Sequence, residues 1–184
     1  MLSFDLTILN FIYDNCRSGI LDVLMPIITK LGNAGMIWIV LAIALLISRK
    51  YRKVGFALLF ALSLDLTVCN IILKPLVARI RPCDVNTAVQ LLVARPTDYS
   101  FPSGHTASSF AAVSALYFSR QWFWKPGLVL AVLIAFSRLY LYVHYPTDVL
   151  AGAMIGIILG YLGFRAAEFL EYLWKRRRQE KQQR

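Results

Sequence analysis

The chain has 184 residues, of which 58% are hydrophobic, and it carries a formal net charge of +10. A soluble domain of this length needs more polar surface, so the composition excludes that class and predicts a helical membrane protein. The three cysteines, Cys16, Cys69 and Cys83, lack metal-ligand spacing, and their odd number argues against a full disulfide framework.

The positive charge is concentrated in three segments that lie between or after apolar runs. Of the twenty Lys and Arg residues, four lie within 49–53, two within 120–125 and six within 175–184. These segments fall at alternate ends of the apolar runs, as expected for loops on the cytoplasmic side of a membrane. The charge therefore indicates membrane orientation rather than a nucleic-acid partner, and the basic tail 175–184 is expected to be cytoplasmic and close to anionic headgroups.

The N-terminal part, residues 1–33, contains two apolar stretches at 2–13 and 20–31. Each is too short to cross a bilayer as a helix, so we expect interfacial or half-inserted helices. The alternative is that the second stretch is a tilted span that enters from the cytoplasm, which would give six spans.

Five longer apolar runs follow and predict an all-α polytopic transmembrane bundle in a single domain, 1–184. The predicted spans are 34–48, 54–74, 102–119, 124–141 and 146–174. Pro75 is expected to end the second span. The fifth exceeds the hydrocarbon thickness, which places Arg165 and Glu168 near the cytoplasmic interface as an i,i+3 pair.

Asp65 is an acidic residue inside the second predicted span. It lies nine residues before Lys74, and thus roughly 13–14 Å deeper along a helix. We favour a neutral or paired structural carboxyl group, and the alternative is a proton or ion relay in a transporter. Asn70 shares a helical face with Lys74 and is expected at the polar end of the bundle.

The polar segment 75–101 is long for a connection in a compact domain, which favours a functional role. Residues 86–94 are predicted to form a short amphipathic helix on the membrane surface. Arg79 and Arg95 are interpreted as solvated loop charges, with headgroup selection as the alternative.

Residues 137–148 place an arginine, a histidine and an aspartate within an apolar region. Pro146 favours the start of a helix with Tyr145 as its N-cap, so that Asp148 at the third helical position reaches back toward the cap. An aspartate that holds one nitrogen of His144 leaves the other free to attack. The alternative is a buried His–Asp pair that only satisfies itself.

Alternation of the spans brings three polar patches to the membrane face opposite the basic loops. The residues concerned are Lys74, Arg81, Ser103, Gly104, His105, Arg138, His144 and Asp148. Three cations beside the N-terminus of a helix describe a phosphate site. Two imidazoles and a carboxylate supply a nucleophile, a general acid and an orienting group, without deciding which histidine is the nucleophile. No carboxylate cluster is present, so neither a metal nor another cofactor is predicted.

The spacing of these residues forms a three-part signature. Six residues separate Lys74 from Arg81-Pro82, and Pro102-Ser103-Gly104-His105 follows. Five residues separate Ser137-Arg138 from His144, and three separate His144 from Asp148. This pattern resembles the type 2 phosphatidic acid phosphatase (PAP2) family of membrane lipid phosphatases over residues 54–163.

The resemblance implies a role for each site residue. His144 would attack phosphorus to give a phosphohistidine, Asp148 would orient it, and His105 would protonate the leaving oxygen and then activate water. The phosphate oxygens would be held by Lys74, Arg81, Ser103, Gly104 and Arg138.

The substrate class follows from the position of the site at a membrane face. We expect a phosphorylated lipid, such as undecaprenyl diphosphate, phosphatidylglycerol phosphate or phosphatidate, in a prokaryotic plasma (inner) membrane with the site facing outward. Other partners are membrane lipids, and nucleic acid is not expected. A non-catalytic or transport protein that binds phosphorylated lipids is the alternative.

Overall fold

The computed structural model describes residues 2–182, and this part of the chain is helical without β-strands. The helices are α1 (Leu2–Asn15), α2 (Gly19–Leu31), α3 (Met36–Ile47), α4 (Arg52–Asp65), α5 (Lys74–Val77), α6 (Pro82–Val85), α7 (Gly104–Phe118), α8 (Trp124–Tyr140) and α9 (Pro146–Gln182). A 3-10 turn, Asn33–Gly35, separates α2 from α3, and a π-helix, Leu66–Leu73, joins α4 to α5.

Helix α7 forms the centre of the bundle and packs against α4, α8 and α9. It consists largely of alanine and serine, and most of its residues are buried. Helix α9 crosses α7 through glycines: a Cβ atom added at Gly156 would lie 2.4 Å from the carbonyl oxygen of Ala107. At Gly160 the corresponding distance to the carbonyl oxygen of Ala111 is 2.3 Å. Only glycine allows the two backbones to approach this closely, as in many membrane helix pairs.

By length and hydropathy, fewer than the predicted five helices among residues 2–182 qualify as membrane spans. By length and hydropathy, Arg52–Val85 and Pro146–Gln182 are able to cross a membrane. A third crossing is formed if α2 and α3, which are bent by 45° at their junction, act as one unit. Helices α7 and α8 have 15 and 17 residues and are shorter than the roughly 20 needed alone. Five separate spans are therefore not confirmed.

Helix boundaries also differ from prediction around Pro75. The helix does not end at this proline, because α5 continues to Val77 before Ala78 adopts the left-handed conformation with φ 47°. The backbone N–H of Lys74 bonds to the carbonyl of Cys69, five residues back, in the wide π-helical turn. This wider turn accommodates the ring of Pro75, which in a regular α-helix would clash with the carbonyl four residues earlier.

The prediction of an amphipathic helix at 86–94 is wrong. This segment consists of turns, and the four-residue helix α6 precedes it. Asn86 Oδ1 accepts a hydrogen bond from the Ala88 N–H, which favours a turn over a helix. The backbone of Gln90 bonds instead to side chains of α1 and its following loop, Tyr13 and Arg17.

Helix α9 is longer than predicted, since it continues past residue 174 to Gln182. Lys175 pairs with Glu171 at 2.7 Å and Arg176 with Glu180 at 3.2 Å, both at i,i+4 spacing. Such pairs stabilise an exposed helix. The predicted i,i+3 pair is also found, with 3.7 Å between Arg165 Nε and Glu168 Oε2.

Candidate active site

The turn between α8 and α9 holds His144 next to the first residues of α9. The Tyr145 N–H donates to Asp148 Oδ2 at 3.0 Å, so the predicted N-cap interaction is present. The Ser103 N–H donates to the backbone carbonyl of Asp148 at 3.2 Å. This bond ties the N-terminus of α7 to the start of α9 and brings the two histidine-bearing segments together.

Two groups orient the imidazole of His144. Its Nδ1 lies 3.6 Å from Asp148 Oδ2 and 3.5 Å from Ser100 Oγ, and this hydroxyl donates to the same carboxylate oxygen at 2.5 Å. Burial lowers the pKa of His144 to about 3, although the nearby Asp148 carboxylate opposes the shift. The imidazole is therefore neutral near pH 7, as a nucleophile requires. Its other nitrogen, Nε2, lies 3.1 Å from Arg81 Nη1.

Arg79 is not a solvated loop charge, and that interpretation is wrong. Its guanidinium donates to Asp148 Oδ1 at 2.5 Å and to Asp5 Oδ2 at 2.7 Å, and it stacks 3.9 Å from the ring centroid of Tyr145. Asp5 is fully buried and also accepts from the Thr147 N–H. An acidic residue in the short apolar helix α1 was the sequence signal for this network. Asp5 thereby ties α1 to the turn that carries His144.

Arg95 is partly exposed, as the surface interpretation predicts, and it also lines the cavity described next. It is about half exposed, pairs with Asp84 at 2.7 Å and donates to the carbonyl of Cys83. Exposed ion pairs of this kind contribute little to stability.

The three predicted phosphate-binding cations line one cavity of about 1030 Å³, together with both histidines and Gly104. Arg138 is buried and donates to Thr29 Oγ1 at 2.6 Å, while its Nε has no partner among the described residues. Ser103 is fully buried outside this lining, and its hydroxyl pairs with Thr106 Oγ1 at 3.0 Å. The structure thus brings together the predicted cations but turns the predicted serine hydroxyl away from the cavity.

Asp98 is an anion within this cationic cavity that the sequence analysis did not single out. Its carboxylate pairs with Lys74 through Oδ2 and with Arg81 Nη2 through Oδ1 at 2.7 Å. Burial raises the pKa of Asp98, but the bond from Lys74 and the two nearby positive charges outweigh it and hold the value at about 2. The carboxylate is therefore ionised, and it forms ion pairs with two of the three cations.

His105 lies in the first turn of α7, and its Nε2 is 2.9 Å from Asn33 Oδ1 in the break between α2 and α3. The adjacent Gly104 faces Asn70, because an added Cβ would lie 3.0 Å from Asn70 Oδ1. Asn70 also lines the cavity, as expected for the polar end of the bundle.

The cavity has an apolar part in addition to its cationic end. Its apolar lining comes from α3, α4 and the following π-helix, through Ile39, Leu59, Leu62 and Leu66. Asp65 lies in the same lining, is 4% exposed, and its Oδ1 has no partner among the described residues. A charged phosphate and an apolar chain would therefore find complementary surfaces in one continuous space.

Within residues 2–182, no group of three or more His, Cys, Asp and Glu side chains has an arrangement suited to holding a metal ion. All three cysteines are free, so the chain has no disulfide among them.

Comparison with known proteins identifies the family. The PAP2 superfamily matches residues 50–172. The chain is 37% identical to an undecaprenyl-diphosphatase of Sulfolobus acidocaldarius over 77% of the chain and 68% of that protein. It is 31% identical to the undecaprenyl-diphosphatase BcrC of Bacillus subtilis over 84% of the chain and 79% of that protein.

Solved structures give the same result. One is a transmembrane PAP2-type phosphatidylglycerolphosphate phosphatase from Bacillus subtilis, with a TM-score of 0.74 and 28% identity over 91% of this chain and 86% of that one. The other is Aquifex aeolicus LpxE, with a TM-score of 0.70 and 32% identity over 87% and 94%. The resemblance predicted from the three-part signature is confirmed, and the chain belongs to the PAP2 superfamily.

Proposed function

We propose that this protein hydrolyses a phosphate ester or diphosphate on a membrane lipid. The observation that carries the proposal is the single cavity in which His105, His144 and three cations lie beside an apolar wall. Undecaprenyl diphosphate is the first candidate substrate, since two relatives with broad coverage are named for it. Phosphatidylglycerol phosphate and phosphatidate are the other candidates.

The proposed reaction has two steps. His144 Nε2 forms a bond to phosphorus as the bond to the leaving oxygen breaks, and protonated His105 gives its proton to that oxygen. Water then attacks the phosphohistidine, His105 takes a proton from it, and the phosphorus–nitrogen bond breaks to release inorganic phosphate. Asp148, Ser100 and Arg79 keep the imidazole of His144 oriented.

The three cations stabilise the charge that develops on the phosphoryl oxygens. Lys74 and Arg81 reach the phosphate once it displaces the Asp98 carboxylate. Arg138 Nε has no partner among the described residues and can donate a hydrogen bond to the phosphate. The N-terminus of α7 at Gly104 adds backbone N–H donors and the positive end of the helix dipole.

We also propose the arrangement in the membrane. Helix α7 begins at the site. A second cavity lies at its other end and is lined by Arg120 and Lys125, which follow α7, and by Lys50 and Lys53. The site and these basic residues thus lie at opposite ends of α7. This separation supports a site on the outer face of a plasma membrane and basic loops in the cytoplasm.

The spans in this arrangement are α3, α4 with its π-helical continuation, α7, α8 and α9, with flanking residues completing the short α7 and α8. Both ends of α2 contact the last turns of α8: Ser18 N–H and Asp22 bond to the Tyr140 hydroxyl, and Thr29 bonds to Arg138. Helix α2 therefore lies across the end of the bundle, which favours an interfacial helix over a sixth span.

Phosphate release by the purified protein in detergent with EDTA tests the proposed function. The panel contains the three candidate lipids and a soluble phosphate monoester. We expect release from at least one lipid in the presence of EDTA. A folded protein that releases phosphate from none of the lipids would contradict the proposal.

Two variants separate hydrolysis from transport. His144→Ala should lower turnover by several orders of magnitude, as expected for loss of a nucleophile, whereas Asp65→Asn should stay within about tenfold, or roughly 1.4 kcal/mol. Loss of turnover in a folded Asp65→Asn protein would instead favour the relay, for which the unpartnered Asp65 oxygen is the supporting observation.

A further inference from the structure

His105 has one side-chain partner for its imidazole ring among the described residues, Asn33. The other histidine is held by Asp148, Ser100 and Arg81. A general acid needs a fixed ring orientation and a fixed tautomer as much as a nucleophile does. Asn33 lies outside residues 50–172, the part that matches the family, so the family signature does not include it.

The break between α2 and α3 is shaped to bring Asn33 to the imidazole. Ala34 adopts a left-handed conformation with φ 51°, and Gly35 follows with φ 67°. A non-glycine residue in this region is strained and persists when surrounding contacts require it. On the other side, an added Cβ at Gly32 would lie 2.9 Å from His105 Cδ2. The backbone therefore passes the ring closely at Gly32, the residue before Asn33, and turns sharply at the two residues after it.

We propose that Asn33 is a positioning residue for His105, and this inference rests on the proposed function. The amide oxygen accepts the Nε2–H of His105, which leaves Nδ1 as the nitrogen that exchanges protons. In the first step the Nδ1 proton passes to the leaving oxygen. In the second step Nδ1 takes a proton from the attacking water, while the Nε2–H stays bonded to Asn33.

An amide suits this role better than a carboxylate. A neutral acceptor fixes the tautomer without adding a charge that would hold the proton on the imidazole. The other charged or titratable groups that line the cavity are Lys30, Asp65, Lys74, Arg81, Arg95, Asp98, Arg138 and His144. These groups are unchanged in a variant at position 33, so a change in pH dependence reports on the amide.

Three variants provide the kinetic test. Asn33→Leu removes the acceptor at similar size and should lower kcat by about 10- to 100-fold with little change in KM. Asn33→Asp keeps the acceptor and favours the protonated imidazole, so it should retain more activity and move the alkaline limb of kcat/KM to higher pH. The control is Asn15→Leu in α1, where the side chain bonds only to its own helix at the Phe11 carbonyl, and it should match wild type.

A purely structural role for Asn33 predicts another pattern. Both variants at position 33 would lose activity together, and the alkaline limb would not move. That result, or wild-type kcat in a folded Asn33→Leu protein, would overturn the proposal.

A spectroscopic test is independent of activity, because the chain has only two histidines. In a His144→Gln background, the nitrogen-15 spectrum of the imidazole contains His105 alone. We expect the shifts of a single Nε2–H tautomer, and a tautomer mixture when Asn33→Leu is added. An unchanged spectrum would contradict the inference even if the wild-type protein hydrolyses lipid phosphates. The expected spectral change would stand even if the lipid assay fails.

Discussion

At the scale of single residues, burial keeps the proposed nucleophile, His144, in its neutral form. His144 is 1% exposed, and burial lowers its pKa to about 3, while the nearby Asp148 carboxylate opposes the shift. The unfolded chain binds a proton on this side chain near pH 6.5, and the folded protein does not until about pH 3. The folded state therefore loses stability as the pH falls through this window.

This linkage predicts how stability depends on pH. Between pH 6.5 and 4, wild type should lose up to about 1.4 kcal/mol per pH unit more than a His144→Gln variant. Asp98 does not contribute to this difference, because its pKa is 3.8 in the unfolded chain and about 2 in the folded protein. Its effect on stability therefore appears at lower pH. Thermal unfolding in detergent across this pH range measures the difference. Parallel losses in both proteins would contradict the buried neutral state of His144.

The contact of His144 with Asp148 was predicted, whereas the contacts that depend on how α1, the α2–α3 break and the loop before α7 fold onto the site were not. Asp148 lies four residues from His144, so helix geometry relates them directly. Asp5 and Thr147 are 142 positions apart, and their contact depends on how α1 folds back over the site. Ser100, Asp98 and Asn33 were missed for the same reason. Ser103 was placed correctly in the chain, but its hydroxyl pairs with Thr106 instead of facing the cavity.

At the scale of helices, the close contact of α7 and α9 sets the distance between the two histidines. His105 lies at the start of α7, and His144 directly precedes α9. Gly156 and Gly160 of α9 lie against the backbone carbonyls of α7. Within a lipid environment, such close packing is a main source of helix association.

A single methyl group at this contact should disturb both fold and function. In Gly156→Ala, the new Cβ would lie 2.4 Å from a backbone oxygen, so α7 and α9 must separate. We expect a loss of roughly 1–3 kcal/mol in stability and a lower kcat as His105 moves away from His144. The matched control is Gly19→Ala, where no atom lies within 4 Å of the added Cβ. Equal stability and activity in the two variants would show that this contact does not set the geometry.

Element boundaries were predictable where a residue type has a clear effect on the backbone. Pro146 starts α9 as expected, and Gly32 and Asn33 end α2. The π-helix has no such sequence signal, so the continuation through Pro75 was missed. The segment 86–94 was misjudged because the backbone of Gln90 bonds to Tyr13 and Arg17, which are far away in sequence.

At the scale of the whole molecule, α9 connects the two ends of the bundle. It has 37 residues, a length of about 55 Å against a hydrocarbon core of about 30 Å. Asp148 lies in its first turn, and its last turns carry the basic tail, which is near headgroups and water in the proposed arrangement. In that arrangement, the tilt of α9 would set the depth of the proposed site in the bilayer.

Bilayer thickness should consequently affect activity. In vesicles of short-, medium- and long-chain phosphatidylcholine, we expect kcat/KM to pass through a maximum at one thickness, because thinner and thicker bilayers change the depth of the site. The control substrate is the soluble phosphate monoester of the detergent assay. Its rate of hydrolysis should vary less with bilayer thickness. Equal rates on the lipid in all vesicles would contradict the dependence on depth.

The ion pairs of Asp98 have a consequence for how substrate enters and product leaves. Two of the cations in the cavity have a carboxylate counterion from the chain itself. A phosphate therefore binds by exchange, and each arriving anion releases the carboxylate. Because Asp98 belongs to the same chain, it competes at a high and constant effective concentration that dilution does not change. After hydrolysis, the Asp98 carboxylate can pair with the two cations again in place of inorganic phosphate. The chain thus contains an anion that competes with the product for its binding site and so favours product release.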